Sequence, residues 1–125
     1  MNIIDSSLWL EYFADSNEGE NVSEIIENTN ELIVPTITIY EVFKKVLLER
    51  NEDDALLAIA HMKQGKIIDL NADLSLFAVK ASREYKLPMA DSIIYATSLK
   101  YNCILWSQDK HFEGLKSVNY FEKKK

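Results

Sequence analysis

Short apolar runs alternate along this chain with longer segments whose apolar residues recur at helical spacing. Asn2-Ile3-Ile4 predicts a short strand. Residues 6–13 predict a helix, with Leu8, Trp9, Tyr12 and Phe13 at helical spacing. Asp15-Ser16-Asn17-Glu18-Gly19 reads as a turn. Residues 20–28 read as a second helix, with Val22, Ile25 and Ile26 on one face. Leu32-Ile33-Val34, closed by Pro35, predicts a second strand, and Thr36 is placed to cap a long helix running to about residue 50.

The next helix opens with Asn51-Glu52-Asp53-Asp54, whose acids suit the dipole of a first turn, and ends at Gly65. Leu56, Leu57, Ile59, Ala60 and Met62 are its expected apolar face. Residues 66–70 predict a third strand. Asn71 or Asp73 is expected to cap a helix carrying Leu74, Phe77, Ala78, Ala81 and Tyr85, broken at Leu87-Pro88. A further helix is expected over about residues 90–101. Cys103-Ile104-Leu105-Trp106 predicts a fourth strand, residues 110–115 a short turn or helix, and residues 118–121 a last strand. Strands alternating with helices imply an α/β fold: a parallel sheet covered by helices on both faces. In such open sheets ligands sit beyond the carboxyl ends of the strands, where strand order reverses.

A length of 125 residues predicts one domain over residues 1–125, able to bury a core without disulfide staples. The 47% apolar content excludes a disordered polar chain, and no apolar run is long enough to span a bilayer. The N-terminus carries neither a basic region nor a signal-peptide core. The single cysteine, Cys103, rules out an intrachain disulfide; its apolar neighbours predict a buried, reduced thiol in a cytoplasmic protein. No Cys/His spacing suits zinc. A net charge of −6 argues against a general nucleic-acid binder. The basic residues cluster at Lys44-Lys45, around Lys80, Arg83 and Lys86, at Lys100 and Lys110, and in the tail Lys123-Lys124-Lys125. These read either as solvated faces or as a local rim for phosphates.

Four acids change this picture. Asp5 and Asp109 each follow a predicted strand, and Glu41 and Asp91 lie in the first two turns of predicted helices, so the fold can gather all of them at one sheet edge. Acids beside buried segments are costly unless their charge is compensated. A cluster of them suits a hard divalent cation. Each acid also has an ordinary reading: Asp5 as a helix cap, Asp91 as a dipole partner, Asp109 as a turn residue and Glu41 as an ion pair with Lys45. Glu41, among Ile37, Tyr40, Val42 and Phe43, fits its ordinary reading least well.

The residues around these acids resemble the four motifs of PIN domains. These are Asn2-Ile3-Ile4-Asp5-Ser6-Ser7-Leu8-Trp9, Val34-Pro35-Thr36-Ile37-Thr38-Ile39-Tyr40-Glu41, Leu87-Pro88-Met89-Ala90-Asp91-Ser92-Ile93-Ile94 and Leu105-Trp106-Ser107-Gln108-Asp109-Lys110-His111-Phe112. They span almost the whole chain in the family's order, and the compact length is similar to that of VapC-type toxins of toxin–antitoxin pairs. The resemblance implies a three-layer α/β/α sandwich with a mainly parallel sheet of four to five strands. It also implies an endoribonuclease dependent on Mg²⁺ or Mn²⁺. Asp5, Glu41, Asp91 and Asp109 would hold the metal, with Ser6 assisting beside the first acid and Ser107 orienting the site. Ser92 replaces a frequent alanine, and His111 stands where many members carry another acid.

By the same resemblance, RNA is hydrolysed to 5′-phosphate and 3′-hydroxyl ends, single-stranded or loop RNA being the accessible substrate. The chain is expected to form a homodimer and to be silenced by a cognate antitoxin. Trp9, Tyr12, Phe13 and Val22 offer one groove for it, although the same residues also read as core. Other readings stay open at this stage. One is a housekeeping or catalytically inactive PIN domain that binds RNA or protein. Another is an aspartyl phosphotransferase built on Asp5, a reading weakened by Ser7 where such enzymes carry a second acid. A receiver-type signalling domain would need an acidic pair near the first strand, which is absent.

Overall fold

The computed structural model describes residues 1–123; Lys124 and Lys125 of the basic tail lie outside the described residues. Five strands form one parallel sheet: β1 (Asn2–Ile4), β2 (Leu32–Pro35), β3 (Lys66–Ile68), β4 (Ile104–Ser107) and β5 (Val118–Tyr120). The helices between them are α1 (Ser6–Phe13), α2 (Asn17–Glu20), α3 (Ser23–Glu27), α4 (Thr36–Glu49), α5 (Glu52–Met62), α6 (Ala72–Tyr85) and α7 (Met89–Lys100). The spatial order is β3-β2-β1-β4-β5. The chain therefore builds outward from β1 in one direction and then in the other, and the order reverses between β1 and β4. There Ile3 pairs with Leu105 and Ile4 with Trp106.

Alternation along the strands divides the interior into two cores. Ile3, Ile33 and Leu105 face one side, with Leu74, Ala78, Ile94, Tyr95 and Phe112. Ile4, Leu32 and Val34 face the other, with Leu8, Trp9, Val42, Ile59 and Met62. Burial on both faces is what a parallel sheet requires. The result is the expected α/β/α sandwich.

Helix α7 is buried from Ser92 to Ser98. Its buried hydroxyls are satisfied within the helix: Ser92 Oγ donates to Met89 O, Thr97 Oγ1 to Ile93 O and Ser98 Oγ to Tyr95 O, all at 2.7 Å. Cys103 is buried and free, as expected.

Several local expectations are corrected. Residues 20–28 form no continuous helix: α2 already begins at Asn17, inside the expected turn, and the path breaks at Asn21-Val22 before α3. Ser16 causes the early start. Its Oγ accepts from Gly19 N at 3.1 Å and donates to Glu11 O at 3.1 Å, tying α2 to the end of α1. Thr36 is the first helical residue of α4, with Pro35 at the cap position and no side-chain cap. Asn71, not Asp73, caps α6, accepting from Leu74 N at 2.8 Å.

Helix α5 buries Ala55, Ala58, Ile59 and Met62, while Leu56 and Leu57 are 51% and 70% exposed. Small alanines let α5 approach α4, so the bulky leucines are turned outward. Trp9 and Val22, offered above as groove residues, are fully buried core. Strands β3, β4 and β5 and helix α7 differ from expectation by one or two terminal residues.

The α1–α2 contact is tight. A Cβ at Gly19 would lie 2.5 Å from both Glu11 O and Tyr12 Cα, backbone atoms that cannot swing aside. Gly19→Ala is expected to destabilise the protein by about 1–3 kcal/mol, read as a lowered urea midpoint. An unchanged midpoint would show that α2 does not rest on α1.

Candidate active site

The acids converge at the reversal between β1 and β4. Asp5 follows β1 directly, is 4% exposed and takes the N-cap position of α1, its Oδ1 accepting from Ser6 N at 2.9 Å. Its Oδ2 accepts from Ser107 Oγ at 2.8 Å and from Ser7 Oγ at 3.1 Å. The ordinary reading of Asp5 as a cap and its place in a cluster thus hold together.

Ser107, the last residue of β4, also accepts from Asp109 N at 2.9 Å. One buried hydroxyl therefore fixes the first acid and the loop bearing the fourth. Asp109 in turn caps the short 3₁₀ turn over Lys110–Phe112, its Oδ1 accepting from His111 N at 2.9 Å.

Glu41 lies in the second turn of α4 and accepts from Ser6 Oγ at 2.6 Å. The ordinary alternative, a pair with Lys45, does not form, because Lys45 reaches Glu49 at 2.9 Å. Asp91 lies in the first turn of α7. His111 Nδ1 stands 2.9 Å from Asp91 Oδ2 and 3.0 Å from Asp109 Oδ1. All six residues singled out from the sequence, Asp5, Ser6, Glu41, Asp91, Ser107 and Asp109, thus meet at one edge.

Ser7 and His111 join them, and Gln108 sits between Ser107 and Asp109. Ser7 was legible only as a hydroxyl two residues past an acid, and His111 as a departure from an acidic position. Gln108 carried no signal: it is 6% exposed, and its Oε1 has no hydrogen-bond partner among the described residues.

Gathering like charges shifts their protonation. Burial pushes the Asp5 carboxyl up to about 7, opposed by the Ser107 hydrogen bond and reinforced by the charges of Asp91 and Asp109. Burial likewise raises Asp91 to about 6; Asp109 and Glu41 add to the rise and His111 opposes it. Among the described residues, one ligand atom each from Asp91, Asp109 and His111 lie within 4.8 Å of one another. Carboxylates strained by each other and open to one side suit a divalent cation, whose charge would remove the repulsion.

A groove of about 680 Å³ runs beside the site between α1 and the α4–α5 pair. Leu10, Phe13, Ala14, Leu57 and Ala58 line its apolar part, charges of both signs flank it, including the pairs Lys45–Glu49 and Arg50–Asp54, and Ser7 and Gln108 lie on the side toward the acids. Of the four residues expected to form a groove, Phe13 lines this one and Tyr12 a neighbouring one, whereas Trp9 and Val22 are buried core.

The raised carboxyls make stability depend on pH. An ordinary carboxyl near 3.8 has lost its proton at pH values where folded Asp5 keeps it up to about 7. The folded state then binds more protons than the unfolded state, so this contribution falls as pH rises from about 4 to 7. In chelator, Asp5→Asn is expected to gain on wild type by up to roughly 1.4 kcal/mol per pH unit across that window. Urea titrations at pH 5 and pH 8 measure it; parallel curves for the two proteins would show that Asp5 is not burdened by its charge.

A family model described as the PIN domain matches residues 3–117. No protein of curated function matches the sequence. Among solved structures, a toxin–antitoxin complex from Klebsiella pneumoniae is similar at TM-score 0.81 and 23% identity, over 95% of this chain and 96% of that one. VapBC2 from Rickettsia felis, bound to a DNA fragment from their promoter, is similar at TM-score 0.73 and 12% identity, over 96% of each chain. VapC20 from Mycobacterium tuberculosis, a sarcin–ricin loop cleaving toxin, is similar at TM-score 0.67 and 14% identity, over 83% of this chain and 85% of that one. At these identities the likeness is one of fold, whereas the family model spans nearly the whole sequence: the chain belongs to the PIN domain family.

Proposed function

We propose that this protein is a metal-dependent endoribonuclease of the VapC type, a toxin restrained by a cognate antitoxin. It would cleave RNA to 5′-phosphate and 3′-hydroxyl ends. The observation that carries the reading is the convergence of Asp5, Glu41, Asp91 and Asp109 on the β1–β4 reversal, two of them with carboxyls held well above their ordinary range. A fold accepts such repulsion where function requires it.

The four acids would hold Mg²⁺ or Mn²⁺. When bound, such an ion polarises the scissile phosphate and lowers the pKa of a water. The rest is positioning by the chain. Ser107 locks Asp5 and the Asp109 loop in register, and Ser6 holds Glu41 toward the same edge. Both hydroxyls are committed as donors to carboxylates, and Cys103 is buried, so a covalent nucleophile is not part of this reading. The RNA substrate would be single-stranded or looped, with its backbone open to a shallow acidic edge.

The structural neighbours that are toxin–antitoxin complexes support an antitoxin as partner. The groove between α1 and α4–α5 suits an amphipathic segment of such a partner, with apolar anchors on Leu10, Phe13 and Leu57. A homodimer is supported by Tyr40, Leu47 and Leu48, which share one face of α4 and are 61%, 43% and 80% exposed. No helix among the described residues is long and apolar enough to cross a membrane.

Asp5→Asn and Asp91→Asn are each expected to lower cleavage of a single-stranded RNA at least about a hundredfold while the fold is kept, and Ser107→Ala about ten- to a hundredfold. RNA-end sequencing after expression of wild type and Asp5→Asn measures it. Wild-type cleavage by both Asp variants, or cleavage that survives EDTA, would sink the reading.

Light scattering is expected to give twice the chain mass for wild type and a smaller mass for Leu48→Lys. A wild-type monomer at high concentration would remove the dimer.

A further inference from the structure

We propose that His111 is itself a metal ligand, and that it makes this site a mixed imidazole–carboxylate centre selective for Mn²⁺ over Mg²⁺. The inference rests on the metal-dependent reading above and deepens it. Its starting point is placement. The 3₁₀ turn over Lys110–Phe112 is pinned from both sides: Asp109 accepts from the His111 amide, and Phe112 is fully buried in the α6–α7 core. The imidazole is thereby delivered to the acids and not left to wander at the surface. Its Nδ1 lies 2.9 Å from Asp91 Oδ2 and 3.0 Å from Asp109 Oδ1. Neighbouring ligands of an octahedral ion bound at ~2.1 Å stand ~3 Å apart, so these separations need little adjustment.

The donor set decides which ion is preferred. Mg²⁺ takes oxygen ligands and parts reluctantly with its waters, whereas imidazole nitrogen favours first-row transition ions. An acid in the place of His111 would give a harder, more negative set that serves Mg²⁺ well. The histidine gives one fewer negative charge and one nitrogen, which costs Mg²⁺ more than it costs Mn²⁺. Solvent can still reach the ring, which is 52% exposed, so the ion can enter from that side.

Spectroscopy on the metal-stripped full chain loaded with Mn²⁺ tests this without any appeal to activity. Pulsed electron paramagnetic resonance should show nitrogen coupling from a directly bound imidazole. The chain has two histidines, so the signal should vanish in His111→Ala and persist in His61→Ala. Calorimetry with MnCl₂ and MgCl₂ should show the Mn²⁺/Mg²⁺ affinity ratio falling at least tenfold in His111→Asp. Bound Mn²⁺ with no nitrogen coupling, or an unchanged ratio in His111→Asp, overturns the proposal. Nitrogen coupling in a protein that cleaves no RNA would uphold the ligand and discard the nuclease reading. Failure to bind either ion would discard both.

Discussion

A carboxylate buried between the two central strands sets the terms for the rest of this protein. Asp5 stands at the end of β1, almost without solvent, and faces the charges of Asp91 and Asp109. Isolated, such a group would cost several kcal/mol or give up its charge. Here it receives the Ser6 amide and the hydroxyls of Ser107 and Ser7. Those bonds act against desolvation but do not overcome it, and the carboxyl stays raised to about 7. The site is therefore built with an unresolved charge conflict that a cation would settle.

The fold can carry that conflict because two separate cores supply its stability. The α6–α7 side anchors Asp91 and, through Phe112, the turn bearing His111. The α1–α4–α5 side anchors Ser6 and Glu41. Each core thus fixes part of the acid set from its own face of the sheet, and the ladder between Ile3 and Leu105 holds the parts in register. A shift of one residue along β4 would exchange the faces of Leu105 and Trp106 and carry Ser107 away from Asp5. Core packing and site geometry are thus one constraint.

Much of this was legible in the sequence because the signals were local and periodic. The strands, the long helices and the convergence of the acids follow from alternating apolar runs and from acids placed at strand ends and helix starts. What escaped depended on contacts distant in sequence. Nothing near residues 15–28 reveals that Ser16 and Gly19 dock onto the end of α1, which turns an expected turn into α2. The buried face of α5 is set by alanines because α4 lies close, so reading the large leucines as core put them on the wrong side. Trp9 looked available for a partner only because its burial depends on the opposite sheet face. The burial of Gln108 beside α1 and the bridging of Asp91 and Asp109 by His111 likewise rest on contacts distant in sequence.

The groove and the acids share a wall, and this has energetic meaning. Ser7 lines the groove and donates to Asp5; Gln108 lines it and immediately precedes Asp109. An apolar segment seated in the groove would therefore pack against both residues. Once seated, such a segment would bear on the loop that carries Asp109 and on the hydroxyl that steadies Asp5. Any shift of Ser7 or of that loop on seating would couple groove occupancy to cation binding, and by linkage the coupling would act equally in both directions. The repulsion stored among the acids is therefore left for a cation to relieve at the carboxylates themselves, while the groove wall holds one of the hydroxyls that steady the most buried of them.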